Sequence, residues 1–205
     1  HIGVTNSGVM DEYSYLVANK ILGNKLDTNI IEISFSNVEF KSNVNTVIAI
    51  TGSSCEFFIN GVSKSTWQSH NIKVGDRIKI GKIIEGSRVY LGVKGGFDIN
   101  KEFGSNSTTI KENLGGIDGD RLKKSQILPC DTFIQSHNTR LKDTFIPKYE
   151  NELELRVVLS YQDEFFPKEQ IEKFFSSSYI ISNEFNRMGC KLKGEAISCD
   201  INGII

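Results

Sequence analysis

The segment TVIAITGSSCEFFING, residues 46–61, decides the fold of this chain. It contains two short runs rich in Ile, Val and Phe, 46–51 and 56–59, and such runs are typical of β-strands. The dipeptide Asn60-Gly61 follows directly and favours a type I′ hairpin, because both central residues of that turn need a positive φ. The segment therefore predicts antiparallel strands joined by tight turns.

Further strand patterns lie on both sides of this segment. Short apolar runs occupy 29–35, 77–81 and 87–93, and Gly75-Asp76 and Glu85-Gly86 are turn signals between them. Regular short strands separated by such turns are typical of an antiparallel barrel or sandwich. We therefore expect a mostly β protein.

Two helices interrupt the strand pattern. The first is predicted over about 10–22, where apolar residues recur at helical spacing and Gly23-Asn24 favours a C-terminal stop. The second is predicted over 167–175, with Pro167 in the first turn, where its missing N–H does no harm.

The pattern changes after residue 137. Residues 138–153 are polar and lack a clean period, which favours a linker, and strand patterns resume at 153–160 and 178–182. The sequence thus predicts a first unit over 1–140, a linker over 141–153 and a second unit over 154–205.

Composition excludes several classes of protein. Apolar residues make up 39% and charged residues 24%, which is ordinary for a soluble globular protein. The net charge of -1 gives no electrostatic footprint for nucleic acid, and no apolar run approaches the length of a membrane span. No signal peptide is recognisable in a sequence that begins at His1, so we expect a cytoplasmic protein with neither nucleic acid nor membrane as partner.

The cysteines and histidines predict no metal site. The four cysteines are far apart without a C-x-x-C pair, and the three histidines are isolated, so no Cys/His pair has the spacing of zinc ligands. Free thiols in a reducing compartment are the expected state of the cysteines.

Three polar loops are candidate ligand sites, each with a plainer alternative. In GVTNSGVMDEYSYLVAN, residues 3–19, backbone N–H groups and hydroxyls at a helix start favour an anion, but Ser7 or Asp11 at that place also suits a helix cap. KGGFDINKEFGSNSTT, residues 94–109, offers hydroxyls and close backbone approach, or is an ordinary surface loop. NEFNRMGCKLKG, residues 183–194, carries Arg187, which suits a carboxylate or a surface ion pair.

Taken together and in this order, the loops resemble a known family. The matching residues are Gly3-Val4, Ser7-Gly8-Val9-Met10-Asp11, Ala18-Asn19, Gly23-Asn24, Thr51-Gly52, Gly75-Asp76, Gly95-Gly96-Phe97-Asp98, Gly104-Ser105, Ser107-Thr108, Leu114-Gly115-Gly116 and Asn186-Arg187-Met188-Gly189. They resemble the carboxyltransferase-like family that contains the C-type subunit of 5-oxoprolinase, allophanate hydrolase subunit 2 and the carboxyltransferase region of urea amidolyase. Nearly the whole chain is covered.

The resemblance implies a fold and a function. The fold is two tandem cyclophilin-like β-barrel units, the second incomplete, with an expected first strand before His1 and a glycine- and threonine-rich segment after Ile205. The function is that of one component of an ATP-dependent 5-oxoprolinase, which opens the lactam of 5-oxoproline to glutamate and is active only with partners like its A-type and B-type subunits. The alternatives are a biotin-dependent carboxyltransferase component acting on urea or a related amide, and a non-catalytic regulator of a kinase-inhibitor protein.

The resemblance also implies site residues. Asp11, Ser105 and Thr108 are the expected catalytic residues, and the expected substrate-binding residues are Ser7, Gly8, Asn19, Gly96 and Arg187. ATP is the expected cofactor, at a site shared with a partner protein, and the sequence lacks the Met-Lys-Met pattern of a biotin carrier. The chain departs from the family pattern at three places: Asn106 and Lys191, where arginine is usual, and Ser125-Gln126, where Gly-Asp is usual.

Overall fold

The computed structural model describes residues 7–35, 37–134, 137–150, 152–159, 161–186 and 189–199. The chain forms two compact units, 1–151 and 152–205. The helices and strands of the first unit are α1 (Glu12–Leu22), β1 (Ile31–Ser34), β2 (Val38–Lys41), β3 (Thr46–Ile59), β4 (Val62–Ser63), β5 (Ser69–Ile72) and β6 (Arg77–Val93). The second unit contains α2 (Lys168–Ser176), β7 (Ile180–Asn186) and β8 (Gly189–Lys193). The described part of the chain is thus mostly β with few helices.

Two long strands, β3 and β6, form the centre of the first unit. They pair antiparallel from Ile48 opposite Val93 to Ile59 opposite Ile78. Each also pairs with two short strands: β6 with β2 and β1, and β3 with β4 and β5. All of these pairings are antiparallel, which confirms the predicted strand orientation.

The separate strands predicted from the sequence are in fact continuous. The runs 46–51 and 56–59 belong to β3, and the runs 77–81 and 87–93 belong to β6. The turn predicted at Glu85-Gly86 is wrong, because these residues lie inside β6 where its register with β3 shifts. A Cβ on Gly86 would lie 2.2 Å from the Ser53 Oγ, so this glycine allows a close approach of two strands rather than a turn.

Other local predictions are confirmed. Asn60 and Gly61 have φ values of 52° and 78°, as a type I′ turn requires, and Gly23 ends α1 with a φ of 65°. Helix α2 begins at Lys168, with Pro167 as its N-cap, one residue later than predicted. Strands β2 and β5, each four residues long, were not predicted.

The strand predicted at 153–160 is not formed in the described residues 152–159. No strand pairs with this segment in the described part of the chain, and Val158 is 97% exposed. The apolar pattern alone was not sufficient, because a strand also needs a partner for its backbone groups. In the second unit β7 pairs with β8 instead.

The core of the first unit lies on both faces of β3. Ile48 and Ile50 point to a cluster formed with residues of β5 and β6 such as Ile72 and Ile80, and all four are at most 2% exposed. The alternate residues Val47 and Ala49 pack with α1 and Trp67 on the other face. Because both faces are covered, the start of β3 is an unbroken apolar run. Each buried Val or Ile side chain contributes about 1.5–3 kcal/mol.

Much of the segment predicted as a linker packs against the first unit. The Leu141 N–H donates to the Trp67 carbonyl at 3.0 Å, and the Tyr13 hydroxyl donates to the Phe145 carbonyl at 2.6 Å. Leu141 and Ile146 also contact the apolar cluster beneath α1. A polar sequence without a period is therefore held by a few apolar anchors and backbone hydrogen bonds.

Two kinds of feature are missing from the residues that the structure describes. No helix among them is long and apolar enough to cross a membrane. No group of three or more His, Cys, Asp or Glu side chains in the same ranges is arranged to hold a metal ion.

Glycine substitutions test how backbone conformation and close strand approach combine. A Cβ on Gly61, at φ +78°, would meet no atom within 4 Å, so Gly61→Ala should lower the free energy of unfolding by about 1 kcal/mol through strain alone. Gly52→Ala should cost more, because φ is +94° and the Cβ would lie 2.5 Å from the Arg88 carbonyl oxygen. Denaturant unfolding measures both, with Gly189→Ala as a near-neutral control. Equal effects of Gly52→Ala and Gly61→Ala would contradict the close approach.

The buried His70 should make stability depend on pH. Its ring is 6% exposed, lies edge-on to Phe57 with centroids 5.3 Å apart, and Nε2 donates to the Ser65 carbonyl at 2.8 Å. Burial lowers the pKa of His70 from its ordinary value. The unfolded chain therefore binds the proton more readily than the folded chain. The contribution of neutral His70 to the free energy of unfolding is complete above about pH 6.5 and is lost as the pH falls from there towards the lower pKa of the folded chain.

The measurement is the free energy of unfolding of the wild type and of His70→Gln from about pH 7 to about pH 5. The difference between the two proteins isolates the histidine from carboxylates that titrate at lower pH. We expect the wild type to lose more stability than the variant on acidification. Parallel curves would show that His70 titrates alike in the folded and unfolded chain.

Candidate substrate site

Asp11 begins helix α1 as its N-cap. One carboxylate oxygen, Oδ1, accepts a hydrogen bond from the Ser14 N–H at 3.0 Å. The other, Oδ2, accepts from the Ser14 hydroxyl and from the Tyr149 hydroxyl, the latter at 3.3 Å. Burial raises the pKa of Tyr149, which keeps its hydroxyl a neutral donor. Both oxygens of Asp11 are thus engaged in holding the helix start and the 147–150 segment.

A buried tyrosine positions the loop in front of α1. The Asp11 N–H donates to the Tyr90 hydroxyl at 2.8 Å, and that hydroxyl donates to Oε2 of Glu32 at 3.0 Å. The Met10 N–H donates to the same Glu32 oxygen at 3.0 Å, and Arg88 lies 3.3 Å from Oε1. Burial raises the pKa of Tyr90, whose side chain is fully enclosed. These contacts fix residues 10 and 11 to strands β1 and β6.

The loop residues 7 and 8 face a second polar loop. A Cβ on Gly8 would lie 3.8 Å from the Ser107 Oγ, which is an ordinary contact distance between the first loop and the Ser107 side chain. Between them is a cavity of about 160 Å³. It is lined by Ser7, Glu102, Phe103, Ser105, Ser107, Thr109, Leu114 and Gly115. The first and second polar loops therefore meet at this cavity.

A tight turn forms one wall of this cavity. The backbones of Glu102 and Ser105 exchange hydrogen bonds of 2.9 and 3.0 Å, with Phe103 and Gly104 at the centre of the turn. The Ser105 hydroxyl accepts from the Ser107 N–H at 3.1 Å, and Oε2 of Glu102 accepts from the Gly115 N–H at 2.8 Å. The hydroxyl and carboxylate groups are thus held in place by backbone donors.

The segment 109–115 forms another wall of the cavity. Thr109 and Leu114 exchange backbone hydrogen bonds of 2.8 and 3.2 Å around a short 3-10 turn. Gly115 then passes so near that a Cβ would lie 2.0 Å from the Ser107 carbonyl oxygen. Only glycine fits there, and it brings its own N–H to Glu102. Asn106, where the family resemblance would imply arginine, donates to the Ile99 carbonyl at 2.7 Å and so joins the two ends of the loop.

The structure brings some of the predicted site residues together. Ser7 and Ser105 line the cavity, and Gly8 lies beside it. Thr108 does not line the cavity and packs against Gly116 instead, where a Cβ would lie 2.0 Å from its Oγ1. Asp11 lies four residues after Ser7 and carries the bonds already described.

Two predicted substrate-binding residues have structural partners elsewhere. Asn19 is completely buried in α1, donates to the Thr28 carbonyl at 2.8 Å and accepts from Asn24 at 3.1 Å. Gly96 lies where a Cβ would be 2.5 Å from Thr28 Cγ2. Both therefore hold the loop after α1, and direct substrate contact by either remains a prediction. Arg187 lies outside the described residues, so its role also stays a prediction.

Sequence reasoning missed Glu102 and Phe103 as cavity residues. Glu102 lies within the polar loop 94–109, but the sequence offers no sign that its carboxylate meets the Gly115 N–H thirteen residues on. The one available signal was the four-residue pattern Glu-Phe-Gly-Ser, in which glycine favours a tight turn.

A larger cavity, of about 410 Å³, lies at the C-terminal end of α1. Its lining includes Lys20, Lys94 and His137 and none of the predicted site residues. Lys94 Nζ donates to the Leu22 carbonyl at 2.8 Å and so caps the helix. The smaller cavity is therefore the candidate substrate site.

Comparison with known proteins places this geometry in a family. Urea amidolyase of Saccharomyces cerevisiae is 33% identical over 202 residues, which are 94% of this chain and 11% of that protein. The C-type subunit of 5-oxoprolinase from Escherichia coli is 26% identical over 195 residues, 95% of this chain and 62% of that protein. The chain thus spans only part of the length of these relatives.

Solved structures show the same fold. The crystal structure of Kluyveromyces lactis urea carboxylase superimposes with a TM-score of 0.84 and 27% identity over 97% of this chain and 19% of that protein. A family model described as "Carboxyltransferase domain, subdomain A and B" matches residues 2–203. The chain belongs to this carboxyltransferase domain family.

Proposed function

We propose that the chain is the carboxyltransferase-type part of a multi-part, ATP-dependent enzyme that acts on a small amide. The first candidate is 5-oxoprolinase, which hydrolyses the lactam of 5-oxoproline to glutamate. One observation carries the proposal: the loop before α1 and the 102–115 loops meet in a small cavity lined by hydroxyl-bearing residues, one carboxylate, backbone and the apolar side chains of Phe103 and Leu114. The relationship to the C-type subunit of 5-oxoprolinase supports the choice of substrate.

The lining suits the chemistry of an amide. A lactam is a poor electrophile, so its carbonyl oxygen must be activated before water attacks. Fixed hydroxyl and N–H dipoles stabilise charge that develops on that oxygen. Ser7, Ser105, Ser107 and Thr109 provide the hydroxyls at the cavity, and Thr108 lies between the last two in the chain. Asp11 is proposed to orient the nitrogen or the water, and Arg187 to bind the substrate carboxylate.

We do not assign ATP to this cavity. The volume of about 160 Å³ and the lining without Lys, Arg or His among the described residues are unsuited to a triphosphate. We therefore propose that ATP binds outside it, on or together with partners like the A-type and B-type subunits of 5-oxoprolinase. We also propose the family's tandem cyclophilin-like arrangement and a cytoplasmic location for the complex.

Urea carboxylation is the second candidate. The observation that favours it is the 33% identity to a urea amidolyase, against 26% to the C-type subunit of 5-oxoprolinase. Urea is also an amide and carries no charge, which suits a cavity without a cationic side chain in its described lining. This function requires a biotin carrier elsewhere, since the chain has no Met-Lys-Met pattern.

Substrate-dependent ATP hydrolysis distinguishes the two candidates. We expect the chain alone to turn over no 5-oxoproline, because activation by ATP needs its partners. The full-length protein with its co-expressed neighbours should hydrolyse ATP in response to 5-oxoproline and release glutamate. ATP hydrolysis that responds to urea and bicarbonate but not to 5-oxoproline would replace the first candidate with the second. Turnover by the chain alone would refute the multi-part proposal.

Arg187→Lys tests the proposed grip on the substrate carboxylate. Lysine keeps the charge but loses the planar fork that binds a carboxylate through two hydrogen bonds, so the KM for 5-oxoproline should rise about tenfold or more. Arg140→Lys is the matched control, because Arg140 pairs with Asp143 on the surface of the first unit. Steady-state kinetics of the reconstituted complex measure both. A KM equal to that of the wild type would remove Arg187 from the site.

A further inference from the structure

We propose that the cavity between Ser7 and Gly115 binds the uncharged N–H-bearing amide of the substrate, with Glu102 accepting its N–H and Phe103 covering it. The inference rests on the proposed function and deepens it, since it assigns the substrate's amide to a defined place. It also names two residues, Glu102 and Phe103, that decide which small molecules bind.

The volume of the cavity suits a portion of a ligand that has a few heavy atoms. Its volume is about 160 Å³, and a cavity of about 150 Å³ is sufficient for a six-membered ring such as benzene. A lactam ring or urea is of that size. Apolar atoms, including those of Leu114 and Phe103, form most of the surface that faces the cavity, and polar atoms are the minority.

The charge of the lining residues selects against anions. Its described lining residues include four hydroxyls and one carboxylate, but no Lys, Arg or His. An anion placed there would face Glu102 without a compensating positive charge, which is unfavourable. A neutral ligand with an N–H group avoids this repulsion and gives the carboxylate a donor. A substrate carboxylate must therefore lie outside the cavity.

Glu102 is the acceptor for that N–H. Its Oε2 accepts from the Gly115 N–H at 2.8 Å, which fixes the orientation of the carboxylate at the cavity. A carboxylate has acceptor capacity for more than one donor, so Glu102 can hold both the backbone and a ligand N–H. Asp11 is less suited, because both of its oxygens already accept bonds from Ser14 and Tyr149.

Phe103 occupies a place that folding alone does not favour. It is the first central residue of the 102–105 turn, with a φ of 52°, where Asn, Asp or Gly is preferred. Its side chain is 77% exposed and yet lines the cavity. A strained, exposed aromatic ring contributes little to the core, so we assign it to covering a planar ligand.

Binding of small probes to the 205-residue chain tests the assignment without any turnover. 2-Pyrrolidone carries a lactam N–H, N-methyl-2-pyrrolidone lacks it, and acetate supplies the negative charge. We expect 2-pyrrolidone to shift the backbone amide NMR signals of Gly115, Ser105 and Ser107 saturably. The N-methyl compound and acetate should bind about tenfold more weakly or not at all.

Two substitutions separate binding from folding. Glu102→Gln keeps an oxygen for the Gly115 N–H but turns the second oxygen into a donor, so 2-pyrrolidone affinity should fall about tenfold. Glu39→Gln, in an exposed ion pair with Arg77, is the matched control and should bind like the wild type. Phe103→Asn relieves the turn, so it should raise the Tm by about 2–4 °C while it weakens binding.

The outcomes that would overturn the assignment are distinct from those that concern the function. The assignment is refuted if 2-pyrrolidone and its N-methyl derivative bind equally, if acetate binds better, or if no probe binds saturably. It is also refuted if Glu102→Gln or Phe103→Asn leaves the affinity for 2-pyrrolidone unchanged. Any of these together with 5-oxoproline-dependent ATP hydrolysis by the complex would leave the proposed function intact. Probe binding as expected, in a complex that responds to no amide, would refute the function alone.

Discussion

The antiparallel pairing of β3 with β6 is the constraint on which the rest of the first unit depends. Each strand is longer than its other partners, so every shorter strand of the sheet pairs with one of these two. Helix α1 packs on the same pair through Val47 and Ala49. Tyr90 of β6 then reaches the Asp11 N–H. The register of two strands thus sets the position of the loop before α1.

Glycine residues allow the 102–115 loops to lie close to the loop before α1. Gly115 passes so close to Ser107 that any side chain would collide with backbone, and its N–H binds Glu102. Gly8 likewise lies near Ser107. The close backbone approach at Gly115 therefore helps to build the cavity, and backbone N–H groups bind the Ser105 hydroxyl and the Glu102 carboxylate. Such preorganised dipoles are what activation of an amide carbonyl requires.

Asp11 shows that one sequence pattern is compatible with a structural role and with a functional role. The same pattern predicts a helix cap and a ligand-facing loop, and the structure shows the cap, with both carboxylate oxygens accepting internal bonds. Glu102 carries no recognisable pattern, yet it lies at the cavity with an orientation fixed by one backbone donor. Whether a residue picked from the sequence is free to bind a ligand therefore depends on its hydrogen-bond partners in the structure.

The sequence by itself determined the mostly β class, the Asn60-Gly61 hairpin, both helices and the family, because these depend on local backbone preference and on residue order. The tertiary structure alone decided that β3 and β6 run unbroken through Ser53 and Gly86, and that 153–159 lacks a sheet partner among the described residues. It also decided which loops meet, since Ser7, Glu102 and Gly115 come together only through long-range packing. Contacts between residues far apart in sequence depend on strand register and close approach, which leave no local signal in the residues themselves.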